Sequence, residues 1–200
     1  MDRIEPPPPD ALKIIFHFYP EETPLRQMLL KHSRQVGRKA VWILNQCRDR
    51  IPVNLNPASV EAGALLHDIG IGRCHAPDIF CTGTVPYIAH GIIGAEMLRS
   101  YGAEQGLNLE KYARICERHT GTGLTADDIR RQNLPLPEQD YLPETDEEKL
   151  ICLADKFYSK SGDMREKEMS RILRSMQKFG SDAVARWCEL CRKFGLEPLS

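Results

Sequence analysis

No run of apolar residues in this 200-residue chain approaches the ~20 that a membrane-spanning helix requires. The first ten residues, MDRIEPPPPD, lack the apolar region of a secretory signal. A cytoplasmic location without a membrane partner is the expectation. An excess of charge is missing too: 27 Lys and Arg stand against 28 Asp and Glu, a formal net charge of −1. The whole chain therefore has no basic footprint for nucleic acid, which makes that partner unexpected. Nor is there a disulfide framework, because the seven cysteines are odd in number and follow no repeat. They read as buried thiols in a reducing compartment. β-type alternation of useful length is absent as well, which excludes a sheet-built core and points to an all-α fold.

What is present suffices for one hydrophobic core. At 200 residues and 42% hydrophobic content, a single domain is expected. Asp10 follows the prolines at 6–9 as a candidate N-cap. Two helices come next, split by Pro20 and Pro24; the second carries Met28, Leu29, Val36, Ala40, Ile43 and Leu44 at near-helical spacing. Asn56-Pro57 opens a helix through EAGALLHD that Gly70 and Gly72 stop, placing His67 and Asp68 on its last turn. The stretch from Cys74 to Pro86 reads as a loop. Helices are predicted over Tyr87–Tyr101, closed by Gly102, and over Leu109–His119. Thr125 to Asp128 resembles a capping box, EEKLICLADKFYSK is helical, and two helices close the chain around Ile172 to Phe179 and Val184 to Cys191.

Six polar residues interrupt these apolar patterns: His32, His67, Asp68, His90, His119 and Asp155. A buried imidazole or carboxylate without a partner costs about 1–3 kcal/mol or more, whereas several converging on one cation satisfy each other. Four imidazoles and two carboxylates are a nitrogen and oxygen set suited to a first-row transition metal. Each histidine taken alone is as readily a satisfied core residue, and spacing by itself leaves both readings open.

The order of the motifs goes further. His32, then His67-Asp68 in "HDIG", "YIAHGIIGAEML" around His90, "ICERHTGTGLT" around His119 and "YLPETDEEKLICLADKF" leading to Asp155 together resemble the HD superfamily of metal-dependent phosphohydrolases, specifically its small stand-alone HDIG-type members. The resemblance spans roughly residues 10 to 160. It implies an HD domain over 10–160, preceded by a flexible Pro-rich segment over 1–9 and followed by C-terminal helices over 161–200 on the same domain.

The resemblance also implies roles. His32, His67, Asp68 and Asp155 would bind one metal, and Asp68 would bridge to a second held by His90 and His119. Asp68 and His67 are then the catalytic pair. One or two divalent ions are expected, iron or manganese favoured because the set lacks thiolate, with zinc, magnesium, nickel and cobalt also compatible. Two such ions against two carboxylates leave a surplus of about two positive charges, which suits an anionic substrate. Hydrolysis of a phosphate ester or anhydride of a nucleotide or related small metabolite follows. Alternatives are a dinucleoside polyphosphate hydrolase, a regulatory nucleotide-binding domain without turnover, and a di-iron oxygenase; a homodimer is compatible with all of them.

Many HDIG sequences carry lysine directly after the motif, but here Ile71 holds that place, with Arg73 two residues on. Arg73, Arg118 and Lys156 are the candidate phosphate contacts. The Cys188/Cys191 pair has half the spacing of a zinc site but no second pair nearby, so buried thiols are expected. Cys74, His75 and Cys81 read as incidental loop residues, and His17 as a packing residue. The basic run from Arg165 to Lys178 is a solvated helix face or a flank that holds a polyphosphate tail.

Overall fold

Helical structure starts where the prolines end, because the Asp10 carboxylate accepts a hydrogen bond from the Lys13 amide at 3.0 Å and caps α1 (Ala11–Phe18). The computed structural model describes residues 7–47 and 54–197; the flexibility expected for residues 1–6 lies outside them. Helix α2 (Pro24–Cys47) buries the six apolar residues that its spacing predicts. His32 occupies the same stripe, one turn from both Met28 and Val36, so the helix delivers an imidazole to a position the pattern reserves for core. Helix α3 (Pro57–Leu66) begins at the Asn56 cap, with Pro57 in its first position.

The α3 helix stops at Leu66, and His67 to Gly70 form a turn, so the helix ends two residues earlier than the sequence predicts. The presumed loop after it contains a small sheet, with strands β1 (Cys74–Ala76), β2 (Cys81–Thr82) and β3 (Val85–Pro86) in the order β2-β1-β3. Strand β1 pairs antiparallel with β2 and parallel with β3. Strands of two or three residues cannot display alternation, which is why the sequence hides them; the fold remains essentially all-helical, as predicted.

Helix α4 (His90–Gln105) starts at His90 after a 3-10 turn over Tyr87–Ala89 and runs past the predicted stop at Gly102 to a left-handed Gly106. Gly102 serves packing instead, since a Cβ there would lie 2.6 Å from the Leu107 carbonyl oxygen. Helix α5 (Glu110–Arg118) ends at His119. Capping boxes at Thr125/Asp128 and Thr145/Glu148 open α6 (Ala126–Arg131) and α7 (Asp146–Asp155). Helices α8 (Met169–Gln177) and α9 (Ser181–Lys193) close the described chain, Trp187 of α9 packing on Phe157 just past α7. None of the described helices is long and apolar enough to cross a membrane.

Helices α2, α3, α5 and α7 bury Val36, Ala40, Ala64, Leu66, Ile115, Leu150 and Ile151 in one core. Two close approaches then lock α4 onto it. A Cβ on Gly70 would lie 2.2 Å from the His90 carbonyl oxygen and 2.4 Å from the Gly94 nitrogen, and one on Gly91 would lie 2.4 Å from the Cys116 carbonyl oxygen. Neither neighbour is a flexible side chain that can step aside.

Gly70→Ala is therefore expected to destabilise the protein by about 1–3 kcal/mol through overpacking, read by circular dichroism as a fall in melting temperature of about 2–12 °C. An unchanged melting temperature would mean that the HDIG turn and α4 separate without cost.

Candidate metal centre

Five chain segments converge on one buried carboxylate. Asp68 is inaccessible to solvent, and its two oxygens face different partners. Oδ2 lies 3.2 Å from His32 Nε2 and 3.0 Å from His67 Nε2, while Oδ1 lies 3.4 Å from His90 Nε2 and 3.3 Å from His119 Nε2. Asp155, the last residue of α7, brings Oδ1 to 2.9 Å from His32 Nε2 and 3.5 Å from His67 Nε2. The ligand atoms fall into two groups that share Asp68: His32, His67, Asp68 and Asp155, and Asp68, His90 and His119, each spanning at most 4.8 Å. All six residues are buried.

The backbone sets the imidazole tautomers. His67 Nδ1 lies 2.6 Å from the Ala64 carbonyl, His90 Nδ1 2.7 Å from that of Tyr87, and His119 Nδ1 2.7 Å from that of Cys116. A carbonyl only accepts, so each Nδ1 carries a proton and donates it, and in the neutral ring this leaves Nε2 as a lone-pair donor aimed at the centre. His90 and His119 present these lone pairs to each other at 3.0 Å. Two lone pairs at that separation repel unless a cation or a proton sits with them. His67 Nε2 and both Asp68 carboxylate oxygens are buried without a well-aligned hydrogen bond, although charged and imidazole groups lie close to them. The orphaned atoms and the all nitrogen and oxygen donor set fit divalent transition metals.

Without metal the charge is balanced internally. Lys160 Nζ reaches 2.8 Å from Asp68 Oδ2 with its side chain 13% exposed, and Lys156 Nζ lies 2.7 Å from Asp155 Oδ2. Burial raises the Asp68 carboxyl, but His67, Lys160, His119 and His32 outweigh it and hold the group well below the usual range. Burial opposes charge on His67, yet Asp68 and Asp155 prevail and push the imidazole up to about 9. At His119 burial wins and brings the ring down to about 4. The burial penalty on Lys160 is overcome by Asp68, Tyr87 and Asp155, so its amine stays charged.

The structure separates the expected phosphate contacts. Lys156 stands beside Asp155, as above. Arg118 does not join the centre: its Nη1 donates to the Leu142 carbonyl at 2.7 Å and to Glu144 at 2.8 Å, tying α5 to the start of α7. Its position next to His119 in sequence misleads, because neighbours on a helix point about 100° apart. Arg73 is exposed on the outer side of the HDIG turn, among Phe18, Gly72 and Met97. Cys74 and Cys81 are buried while His75 is exposed, so the three do not converge. Cys188 and Cys191 are free thiols, and His17 packs on Tyr101 with ring centres 4.9 Å apart.

Sequence reasoning missed Lys160 and Tyr87. Tyr87 stacks on His90 with ring centres 4.6 Å apart, and Lys160 Nζ lies 5.9 Å from the Tyr87 ring centre. Lys160 falls beyond the end of α7, where the chain folds back over the centre, so no helical spacing relates it to Asp155.

Two variants test this arrangement. Asp68→Ala is expected to empty both metal groups, whereas His119→Ala should lower content from about two equivalents to about one by elemental analysis. Lys160→Met should lower the melting temperature of chelator-treated protein, since stripping the partner from a buried charge costs about 3–5 kcal/mol, or about 6–20 °C. Metal-saturated Lys160→Met should melt close to wild type; equal losses in both forms would make Lys160 a packing residue only.

The chain resembles longer proteins. Over 96 residues, 48% of this chain and 46% of the relative, it is 44% identical to an uncharacterized protein of Methanocaldococcus jannaschii. It is 38% identical over 132 residues to a protein of Picrophilus torridus named tRNA (cytidine(56)-2'-O)-methyltransferase. A Thermoplasma volcanium protein of the same name is 31% identical over 166 residues. The chain spans 66% and 83% of itself in these two matches but only 32% and 41% of the relatives, so it covers less than half the length of all three. No solved structure matches. The HD domain family matches residues 29–159, a span that holds all six residues of the centre and all of its Asp68 contacts except Lys160; the chain belongs to this family, within a superfamily of metal-dependent hydrolases.

Proposed function

We propose that the protein is a metal-dependent phosphohydrolase that cleaves a phosphate ester or anhydride of a nucleotide or a related small phosphorylated metabolite. The observation that carries this reading is the division of Asp68, whose two oxygens each face their own pair of imidazole nitrogens. His32, His67, Asp68 and Asp155 would hold one metal, and Asp68, His90 and His119 a second. When bound, divalent ions at such paired sites lower the pKa of water towards about 7 and offset phosphoryl charge. Iron or manganese is the proposed identity. The thiols nearest the centre do not compete: Cys116 and Cys152 turn to the Leu66 and His119 carbonyls, and burial pushes both up, Cys152 to about 11.

The remaining steps belong to the chain. Backbone carbonyls of Ala64, Tyr87 and Cys116 keep three imidazoles in one tautomer and orientation, so the donors need no rearrangement during turnover. Lys160 and Lys156 neutralise Asp68 and Asp155 in the metal-free centre. Once cations take over that task, both ammonium groups are free to contact phosphoryl oxygens, at the edge where the substrate enters. Lys160 thus takes the role that the sequence suggests for Arg73.

Two relatives are named tRNA methyltransferases, but the matched chain is a minor part of each. A nest of imidazoles and carboxylates is chemistry for activating water rather than for moving a methyl group, so we read this segment as hydrolytic. Seven free thiols accord with a cytoplasmic setting.

Turnover of a phosphate ester in oxygen-18 water is expected to put label in the released phosphate, to stop on chelation and to continue without dioxygen. Strict dependence on dioxygen would replace the phosphohydrolase reading by an oxidative one.

A further inference from the structure

Many of the described arginines are spoken for. Arg99, Arg114, Arg118, Arg130, Arg131 and Arg186 all pair with carboxylates, as do Lys39, Lys111 and Lys193. Arg34, Arg38, Arg73 and Arg192 make no ion pair among the described residues, and neither do Lys167, Arg171, Arg174 and Lys178, but these last four stand together. They line one groove of about 440 Å³ together with Ser159 and Ser175, and no carboxylate lines it. In a chain whose net charge is −1, such unpaired clustering is a local feature that the bulk composition does not supply.

Along the chain, the groove lies next to the metal centre. Ser159 precedes Lys160, the residue bonded to Asp68, and the Lys167 amide donates to the Phe157 carbonyl at 2.7 Å, fixing that lysine over the end of α7. From there Arg171, Arg174, Ser175 and Lys178 follow at the spacing i, i+3, i+4 and i+7, one face of α8 and its C-terminus. At 1.5 Å per residue this face is about 10 Å long, room for two or three phosphates at the ~3.4 Å axial advance per charge of a nucleic-acid strand. Burial pushes the Lys167 amine down to about 8; Asp155 opposes the shift, and the cations Lys156, Arg171 and Lys160 deepen it. No aromatic side chain lines the groove, so it offers no platform for stacking bases and reads charge alone.

We propose that this groove binds the non-reacting phosphates of the substrate: the metal centre takes the scissile phosphoryl group, and Lys167, Arg171, Arg174 and Lys178 take a chain of two or more further phosphates. The placement of the scissile group rests on the phosphohydrolase reading; the binding of a phosphate chain does not. The chemistry is shared by the polyphosphate of a small molecule and the backbone of a single strand.

The test is direct binding to chelator-treated, full-length protein, with inorganic tripolyphosphate in calorimetry and a 5′-fluorescein RNA decamer in anisotropy. The variant carries Arg171→Gln, Arg174→Gln and Lys178→Gln, three exposed positions that circular dichroism should show folded. Wild type is expected to bind at least one probe, with affinity falling steeply as salt rises, and the triple variant to bind about tenfold or more weakly. Preference for tripolyphosphate assigns the groove to a small polyphosphate, and preference for RNA to a strand. If neither probe binds, or if wild type and variant bind alike, the groove is not a phosphate site. Loss of binding in the variant, with no hydrolysis of any phosphate ester by metal-loaded wild type, would uphold the groove and remove the hydrolase reading instead.

Discussion

The metal centre and the packing around it answer to one buried carboxylate. An ionised Asp68 at zero exposure is affordable only if its surroundings return the lost hydration. Four imidazoles, one ammonium and a second carboxylate are drawn round it from α2, the HDIG turn, α4, α5, α7 and the chain beyond α7. Removing the carboxylate would leave His32 and His67 facing only Asp155, and His90 facing only His119. The centre is thus also the tie between helices that are far apart in sequence, and ligands that favour its occupied form add to the stability of the whole fold by mass action.

That tie dictates where small residues stand. His90 and His119 sit at opposite ends of α4 and α5, and their nitrogens can meet at 3.0 Å only if these helices pack against each other and against the HDIG turn at backbone contact. Gly70 and Gly91 provide that contact; any Cβ would collide with main-chain atoms. The glycine after the His-Asp pair is therefore as much a part of the site as the ligands, through position rather than chemistry. Tyr19 adds a brace from α1, its hydroxyl donating to the Ile69 carbonyl at 2.5 Å and accepting from the Gly72 amide at 3.0 Å.

Much of this was legible before any coordinates. The stripe on α2, the caps at Asp10, Asn56 and Thr145, and the six polar residues breaking apolar patterns are local signals, and the structure draws those six together in two groups. What stayed hidden depends on direction and on chain reversal. Arg118 neighbours a site residue in sequence, yet turns along the helix towards Glu144. Lys160 has no periodic relation to Asp155, yet the reversal after α7 returns it to Asp68. The small sheet between Cys74 and Pro86 escapes because two-residue strands carry no pattern, only turns.

Charge placement links the centre to the rest of the surface. Arginines that brace helices are each matched by a carboxylate, as in Arg114 with Glu144 and Glu148, so they contribute little field at a distance. The unpaired cations of the α8 face line a groove whose Ser159 directly precedes Lys160, one of the two lysines at the centre. Metals would add to this positive charge, since two divalent ions exceed the two carboxylates that hold them by about two units. A field of one sign in such a groove concentrates anions near it. Neutral or cationic molecules of similar size gain nothing from it. On the proposed reading, selection would begin with charge count along the α8 face and end with geometry at Asp68.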